Sequence, residues 1–280
     1  MNSVFRTYSD LASVLRDMGP VAIAVSGGVD SLTLATFAHR LSPASCTMFH
    51  AISAAVPPDA TQRTETLSIA EGWQLQQISA GEFNDERYVK NPVNRCFYCK
   101  TNLYARIHCE TSSQIVSGTN LDDLSDYRPG LQAADNHKVR HPFVETGMTK
   151  AMVRRLSRDL KLGRIAELPA SPCLSSRVET GKAVDAAELR LVHSVETRVS
   201  AQLQPQAVRC RLRHKGIVIE LDEKTLASLS RSDRNGIVRQ IRSYLPKAVS
   251  APDVSFAEYK MGSAFVHKPE RLSPSEERSQ

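Results

Sequence analysis

The sequence predicts an α/β protein: a doubly wound parallel sheet followed by a smaller C-terminal α+β domain. Three observations predict it. Over residues 20–165, short apolar runs alternate with helical stretches, as strands buried on both faces do when helical crossovers join them. A glycine turn, Ser26-Gly27-Gly28, separates the first run from the first helix of that series. Near Leu168-Pro169 and Pro172 the alternation stops and a long helix and a hairpin follow. This organisation predicts domains at 1–168 and 169–267, with residues 268–280, rich in Ser, Glu, Arg and Pro, as a disordered tail.

Residues 21–25 (VAIAV) are a continuous apolar run and read as a strand. Asp30-Ser31 then open a helix carrying Leu32, Leu34, Ala35, Phe37, Ala38 and Leu41. A second strand is predicted at 46–52, and Pro57-Pro58 lead into a helix at about 63–71. Residues 75–78 read as a third strand, 98–108 as a helix, and 114–117 as a strand ending in Gly118. Thr149 has the character of an N-cap, because Met152, Val153, Leu156 and Leu160 follow at helical spacing. In the C-terminal part, 188–203 reads as a helix. Val208, Cys210 and Leu212 alternate with Arg209, Arg211 and Arg213, the pattern of a half-buried strand with three arginines on one face. His214-Lys215-Gly216 turn that strand into 217–221.

The chain has 280 residues, of which 41% are hydrophobic, enough to bury a sizeable core. No apolar run approaches the roughly 18 residues of a membrane span. The N-terminus lacks the apolar core and cleavage site of a signal peptide. A soluble cytoplasmic protein is therefore expected, with no membrane partner. The net charge of +6 is uneven: 19 basic and 18 acidic residues lie in 1–180, against 17 and 12 in 181–280. A basic C-terminal third fits an anionic partner, either RNA or a phosphorylated small molecule, or a solvated basic surface.

Ser26-Gly27-Gly28-Val29-Asp30-Ser31 carries the strongest chemical signal. Glycines let a backbone curl with its N–H groups inward, and a helix N-terminus adds positive partial charge, so the turn suits a phosphate. Ser26 and Ser31 can donate hydroxyl hydrogens to phosphate oxygens. Asp30 beside an anion implies either a magnesium ion or a role capping the loop. The turn matches neither the Walker nor the dinucleotide pattern. Gly118-Thr119-Asn120 is expected to be a second nucleotide-contacting loop, and Asp122, Asp123 and Asp126 after it could bind magnesium or cap the next segment.

Of six cysteines, only Cys96 and Cys99 have ligand-like spacing. A CxxC arises by chance in roughly one such chain in ten. Cys173 lies in the polar, proline-bracketed loop SPCLSSR (171–177).

The SGGVDS turn resembles the PP-loop of the N-type ATP pyrophosphatases, which implies a Rossmann-like domain using ATP and magnesium and cutting between the α and β phosphates. NPVNRCFYCKTNLY (91–104), GTNLDDLSDYRPGLQAA (118–134) and SPCLSSR (171–177) further resemble the LarE-type sulfur transferases. With the helix TKAMVRRLSRDLKL (149–162), this resemblance covers most of residues 20–180; the remainder matches chiefly through RLRHKG (211–216) and 259–263. It implies adenylation of a substrate carboxylate, release of pyrophosphate and attack by sulfur to give a thiocarboxylate. The implied acceptor is pyridinium-3,5-biscarboxylic acid mononucleotide, the precursor of the nickel-pincer nucleotide cofactor.

Members of that family use either a sacrificed cysteine, left as dehydroalanine, or a four-iron–four-sulfur cluster on three cysteines. Holding Cys96, Cys99 and Cys173, this chain resembles the cluster type, while a sacrificial Cys173 and a purely structural site stay open. The resemblance implies ATP-loop contacts from Ser26, Gly27, Gly28, Asp30, Ser31, Gly118 and Thr119, and catalytic roles for Cys173, Asp30, Lys100 and Arg177. Lys100, Arg177 and Arg95 flank the cysteines and could hold phosphate or carboxylate groups. Arg211 and Arg213 could hold the phosphate of a mononucleotide. Glu196 falls near an acidic position of the family, although a helical glutamate is usually solvated. A sulfide or other sulfur donor and a homo-oligomer are also implied. Two alternatives remain: a cluster-dependent tRNA thiolase, disfavoured by the lack of a basic-aromatic RNA-binding stretch, and a non-catalytic ATP- or redox-sensing protein.

Overall fold

The computed structural model describes residues 2–125, 129–244 and 252–265. Helix α1 (Asn2–Asp17) precedes strand β1 (Val21–Ala24), after which α2 (Val29–Leu41), β2 (Cys46–Ala51), α3 (Pro58–Glu71) and β3 (Leu75–Ile78) alternate. Two short helical turns, α4 (Glu86–Val89) among them, lead to α5 (Arg95–Glu110) and β4 (Gln114–Ser117). The helices α6 (Pro129–Asn136), α7 (Pro142–Glu145) and α8 (Lys150–Asp159) complete this part. The four strands are all parallel, in the order β3-β2-β1-β4, with Val21 opposite both Cys46 and Gln114.

The doubly wound expectation is correct, and the side-chain alternation of β1 shows why. Val21 and Ile23 join Leu11, Leu32, Leu34, Phe143 and Leu156 in one core, on the side of α1, α2 and α8. Ala22 and Ala24 face the opposite way, into a core with Phe49, Tyr104, Ile107 and Ile115 on the side of α5. Successive side chains of a strand point to opposite faces, so a four-residue run without polar side chains can serve both layers. Thr149 caps α8 as expected, accepting from the Met152 amide.

The C-terminal part holds α9 (Ala186–Leu203), β5 (Val208–Arg213), β6 (Gly216–Leu221), α10 (Glu223–Ser228), α11 (Arg231–Tyr244) and β7 (Val254–Glu258). Here β5 and β6 form the expected hairpin, and β7, absent from the expectations, adds a parallel strand to β6. Its core gathers Leu189, Val192, Cys210, Ile219 and Ile237, and also takes Ala55 and Tyr88 from the N-terminal part. Asp126 and the 268–280 tail lie outside the described residues. Among the described residues no helix is long and apolar enough to cross a membrane.

Candidate active site

All four strands of the parallel sheet deliver part of one site at their carboxyl ends. This is the edge where open α/β sheets place ligands. After β1 the chain enters Ser26–Ser31. Past β2, the Ala55 carbonyl accepts from the Leu174 amide at 2.8 Å, which tethers the Cys173 loop. Past β3 comes Glu82, whose charge acts on Cys99. After β4 comes Gly118.

The phosphate-type turn is locked from two sides. Gly27 has φ +78°, and a Cβ there would lie 2.5 Å from the Ala60 carbonyl oxygen. A Cβ on Gly118 would lie 2.7 Å from the Ser31 amide nitrogen. Glycine at both positions lets α3 and the β4 exit close on the turn. Arg63 donates to the Gly27 carbonyl at 2.6 Å. The first backbone bond of α2 from the turn runs from the Leu32 amide to the Gly28 carbonyl, so the amides ahead of it have no intrahelical acceptor. That is the donor set an anion needs. Ser31 Oγ donates to the Gly28 carbonyl and accepts from the Ser26 amide, each at 3.1 Å. Having spent its one hydrogen there, it receives the Ser26 hydroxyl at 3.1 Å. Both hydroxyls, expected as phosphate donors, are satisfied within the turn here.

Asp30 occupies the first turn of α2 and makes no side-chain cap for it. Its Oδ2 pairs with the Lys150 ammonium, and its Oδ1 accepts from Asn120 Nδ2 at 3.4 Å. Asn120, fully buried, also donates to Asp123 Oδ2 at 2.9 Å, and Asp122 accepts from the Lys150 amide at 3.0 Å. Both aspartates therefore brace the turn. His50 is buried with Nδ1 2.9 Å from the Val25 carbonyl and Nε2 2.9 Å from Thr61 Oγ1. A carbonyl can only accept, so Nδ1 carries the hydrogen and Nε2 accepts; burial, which outweighs the Val25 hydrogen bond, lowers the His50 pKa. At the exit of β4, Ser117 Oγ contacts Thr119 Oγ1 at 3.0 Å and His141 Nδ1 at 2.9 Å. Burial also lowers the His141 pKa, with Glu145 and Asp123 opposing it and Lys100 acting in the same direction. Lys100 of the cysteine segment and Asp123 beyond β4 thus act on one imidazole.

Cys96, Cys99 and Cys173 come from α5 and from the 171–177 loop and lie within electrostatic reach of one another and of Lys100. Burial raises the Cys96 pKa, the nearby Cys173 adds to it, and Arg95 and Lys100 oppose it. Burial, with Cys173 again adding, pushes Cys99 up to about 12. Among the described residues no three His, Cys, Asp or Glu side chains are arranged to hold a metal ion as they stand. The chemistry of the donor set, three grouped thiols beside two cations, is nonetheless that of an iron–sulfur ligand set rather than of a hard divalent cation.

Arg177 is buried and bidentate to Glu196, at 3.0 and 2.9 Å, and its Nη1 donates to the carbonyls of Pro172 and Cys173. Its guanidinium, expected as an anion clamp, is engaged in holding the Cys173 loop. Glu196 is accordingly not a solvated helical glutamate, and it also accepts from the Cys210 amide at 2.8 Å. Arg211 and Arg213 share Glu220, at 2.9 and 3.2 Å, and donate further to carbonyls of Ser176, Lys260 and Ser263. Arg211 is buried, so this strand does not present three arginines to solvent. Arg95 is buried next to the cysteines.

Lys150, Arg63 and Glu220 escape the sequence reading. Asn120, read as part of the Gly118-Thr119-Asn120 loop, braces Asp30 and Asp123, and Glu220 stands opposite Arg209 in the hairpin register, so it had a local signal. Lys150 meets Asp30 across 120 positions and had none.

No protein-family model matches the chain. It is 31% identical to the uncharacterized protein slr1717 of Synechocystis over 191 residues, covering 67% of this chain and 71% of that protein. Uncharacterized protein MJ0830 of Methanocaldococcus jannaschii is 24% identical over 237 residues, 80% of this chain and 85% of its own length. The pyridinium-3,5-bisthiocarboxylic acid mononucleotide synthase of Lactiplantibacillus plantarum is 27% identical over 239 residues, 83% of this chain and 85% of its own.

Proposed function

We propose that the chain is an ATP-dependent sulfur transferase of the LarE type, a reading supported by its 27% identity to the pyridinium-3,5-bisthiocarboxylic acid mononucleotide synthase. In this reading it adenylates a carboxylate of pyridinium-3,5-biscarboxylic acid mononucleotide, releases pyrophosphate and converts the carboxylate to a thiocarboxylate. The observation that carries it is the gathering of the glycine turn and three thiols at the carboxyl edge of one parallel sheet. A phosphate-binding turn activates an oxygen, and grouped thiols handle sulfur; a transferase needs the two within reach of one substrate.

The residues divide the work. Amides at the start of α2 and the backbone of Gly27, Gly28 and Gly118 receive the ATP phosphates, with Ser26, Ser31 and Thr119 at the rim. Asp30 is suited to hold the magnesium that accompanies them, which releases Lys150 toward the phosphates. Departure of pyrophosphate from the α phosphorus leaves an acyl adenylate, and departure of AMP follows sulfur attack at the acyl carbon. Cys96, Cys99 and Cys173 would hold a four-iron–four-sulfur cluster, which when bound supplies an open iron for an exogenous sulfide. Lys100 sets the charge of that pocket. Through Glu196, Arg177 keeps the Cys173 loop in place as a positioning residue. Arg211 and Arg213, expected to hold the mononucleotide phosphate, are spent here on Glu220 and on the carbonyls of Ser176, Lys260 and Ser263, so they would reach a phosphate only by leaving those partners. The division at 168 would separate an ATP domain from a substrate and oligomerisation domain.

The test is the fate of ATP. Incubation with Mg-ATP and the biscarboxylic acid mononucleotide should release AMP and pyrophosphate, and Asp30→Ala should abolish this with the fold retained. Release of ADP and orthophosphate by the wild type contradicts the assignment.

A further inference from the structure

Arg95 is buried, 2% exposed, in the first turn of α5. Its Nη1 donates to Asn91 Oδ1, while its Nη2 is buried without a hydrogen-bond partner. The other buried arginines of this region are treated differently. Arg177 has Glu196 and Arg211 has Glu220, each at 2.9 Å. Among the described residues no carboxylate pairs with Arg95; what surrounds it is the Phe265 ring, 5.8 Å from its guanidinium carbon, and the Cys96 thiol. Lys100, one turn along the same helix as Cys96, also meets no carboxylate there; its ammonium lies 5.7 Å from the Tyr104 ring. A buried, unpaired charge is strongly unfavourable and persists where a counter-charge is to be supplied. Glu82 acts on the far thiol, Cys99, and the group that meets Arg95 itself is the Cys96 thiol, with Nη2 left without a partner. The fork of a guanidinium suits an anion with more than one acceptor, and an ammonium suits a point charge.

We propose that Arg95 and Lys100 form a subsite for a small inorganic sulfur anion, hydrosulfide or thiosulfate, against the Cys96 thiol. In naming sulfur the inference rests on the transferase reading, and it specifies the class of donor: a free anion rather than a sulfur carried on another protein. The subsite belongs to the protein itself and exists before any iron is bound.

The full chain is prepared without iron, its fold checked by circular dichroism, and titrated calorimetrically under argon. Sodium sulfide and sodium thiosulfate are used in separate arms, at constant ionic strength set with chloride. Saturable binding of one anion per chain in either arm is the expected result, with a higher unfolding temperature. Thiosulfate alone identifies an oxyanion donor, sulfide alone hydrosulfide, and both identify a site open to either. Arg95→Gln should weaken binding at least tenfold and Lys100→Gln by a smaller factor. Arg95→Lys, which keeps the charge and tolerates any folding defect of the glutamine variant, should fall between. Arg106→Gln, on the exposed face of α5, should change nothing. Absence of saturable binding in both arms, or equal affinity in wild type and Arg95→Gln, overturns the proposal. Failure of the transferase reading appears separately, as missing pyrophosphate release, which this titration does not involve.

Discussion

Gly27→Ala attacks the phosphate turn through its backbone alone. At φ +78° an L side chain pays about 1–2 kcal/mol for the left-handed conformation. The new Cβ would also lie 2.5 Å from the Ala60 carbonyl oxygen and 2.8 Å from the Ala60 Cβ. Neither atom is the end of a flexible side chain, so α3 must move. Overpacking of this kind costs about 1–3 kcal/mol, and the two together give about 2–5 kcal/mol. A domain with about 5–15 kcal/mol of stability still folds. Movement of α3 also pulls Arg63 from the Gly27 carbonyl, so ATP affinity should fall with stability. Gly28→Ala is the control: its Cβ would meet only Ser26 Oγ, at 3.5 Å. That substitution should stay within about 0.5 kcal/mol in stability, although its methyl enters the phosphate cradle. Urea unfolding of the three proteins, with ATP titration by calorimetry, measures both effects. Equal stability of the two variants would refute the locked-turn reasoning.

Other outcomes follow from the buried pairs and the thiols. Glu196→Ala strands Arg177 and the Cys210 amide, and should cost about 3–5 kcal/mol in urea unfolding, with Glu196→Gln milder; an unchanged midpoint contradicts the positioning role. His50, lowered by burial, takes up a proton in the unfolded chain before it does so in the folded one. Stability should therefore decline as pH drops below about 6.5, the unfolded value, and His50→Gln should flatten that slope in unfolding midpoints measured from pH 7.5 to 5.5. Changing any of Cys96, Cys99 or Cys173 to Ser should remove iron, sulfide and activity together in anaerobic preparations. An active Cys96→Ser protein, with wild type lighter after turnover by the mass of hydrogen sulfide, would instead mark Cys173 as sacrificed.

The elements most readable in the sequence are those whose physics is local. Residues 75–78 and 114–117 match β3 and β4 in extent, because a short strand between two turns leaves little freedom. Thr149 was legible because a cap needs only its own helix. The strand β7 was not: the residues before it carry no apolar alternation, and its place depends on backbone pairing with β6. The site divides in the same way. The glycine turn and the CxxC are contiguous and visible, whereas Asp30 with Lys150 and Arg177 with Glu196 join across the fold. Arg211 illustrates the cost of reading one strand alone. Alternation put it on a polar face, but that face is closed by Glu220, two residues along from its cross-strand partner Val218, where diagonal pairs meet.

The central claim is that one site activates a carboxylate with ATP and delivers sulfur to it. Mass spectrometry of the acceptor tests this most directly, after anaerobic incubation of the iron-loaded protein with Mg-ATP, sulfide and pyridinium-3,5-biscarboxylic acid mononucleotide. The acceptor should gain the mass difference between sulfur and oxygen at each converted carboxylate, matched by one AMP and one pyrophosphate per sulfur. An acceptor of unchanged mass while AMP and pyrophosphate accumulate would contradict sulfur transfer.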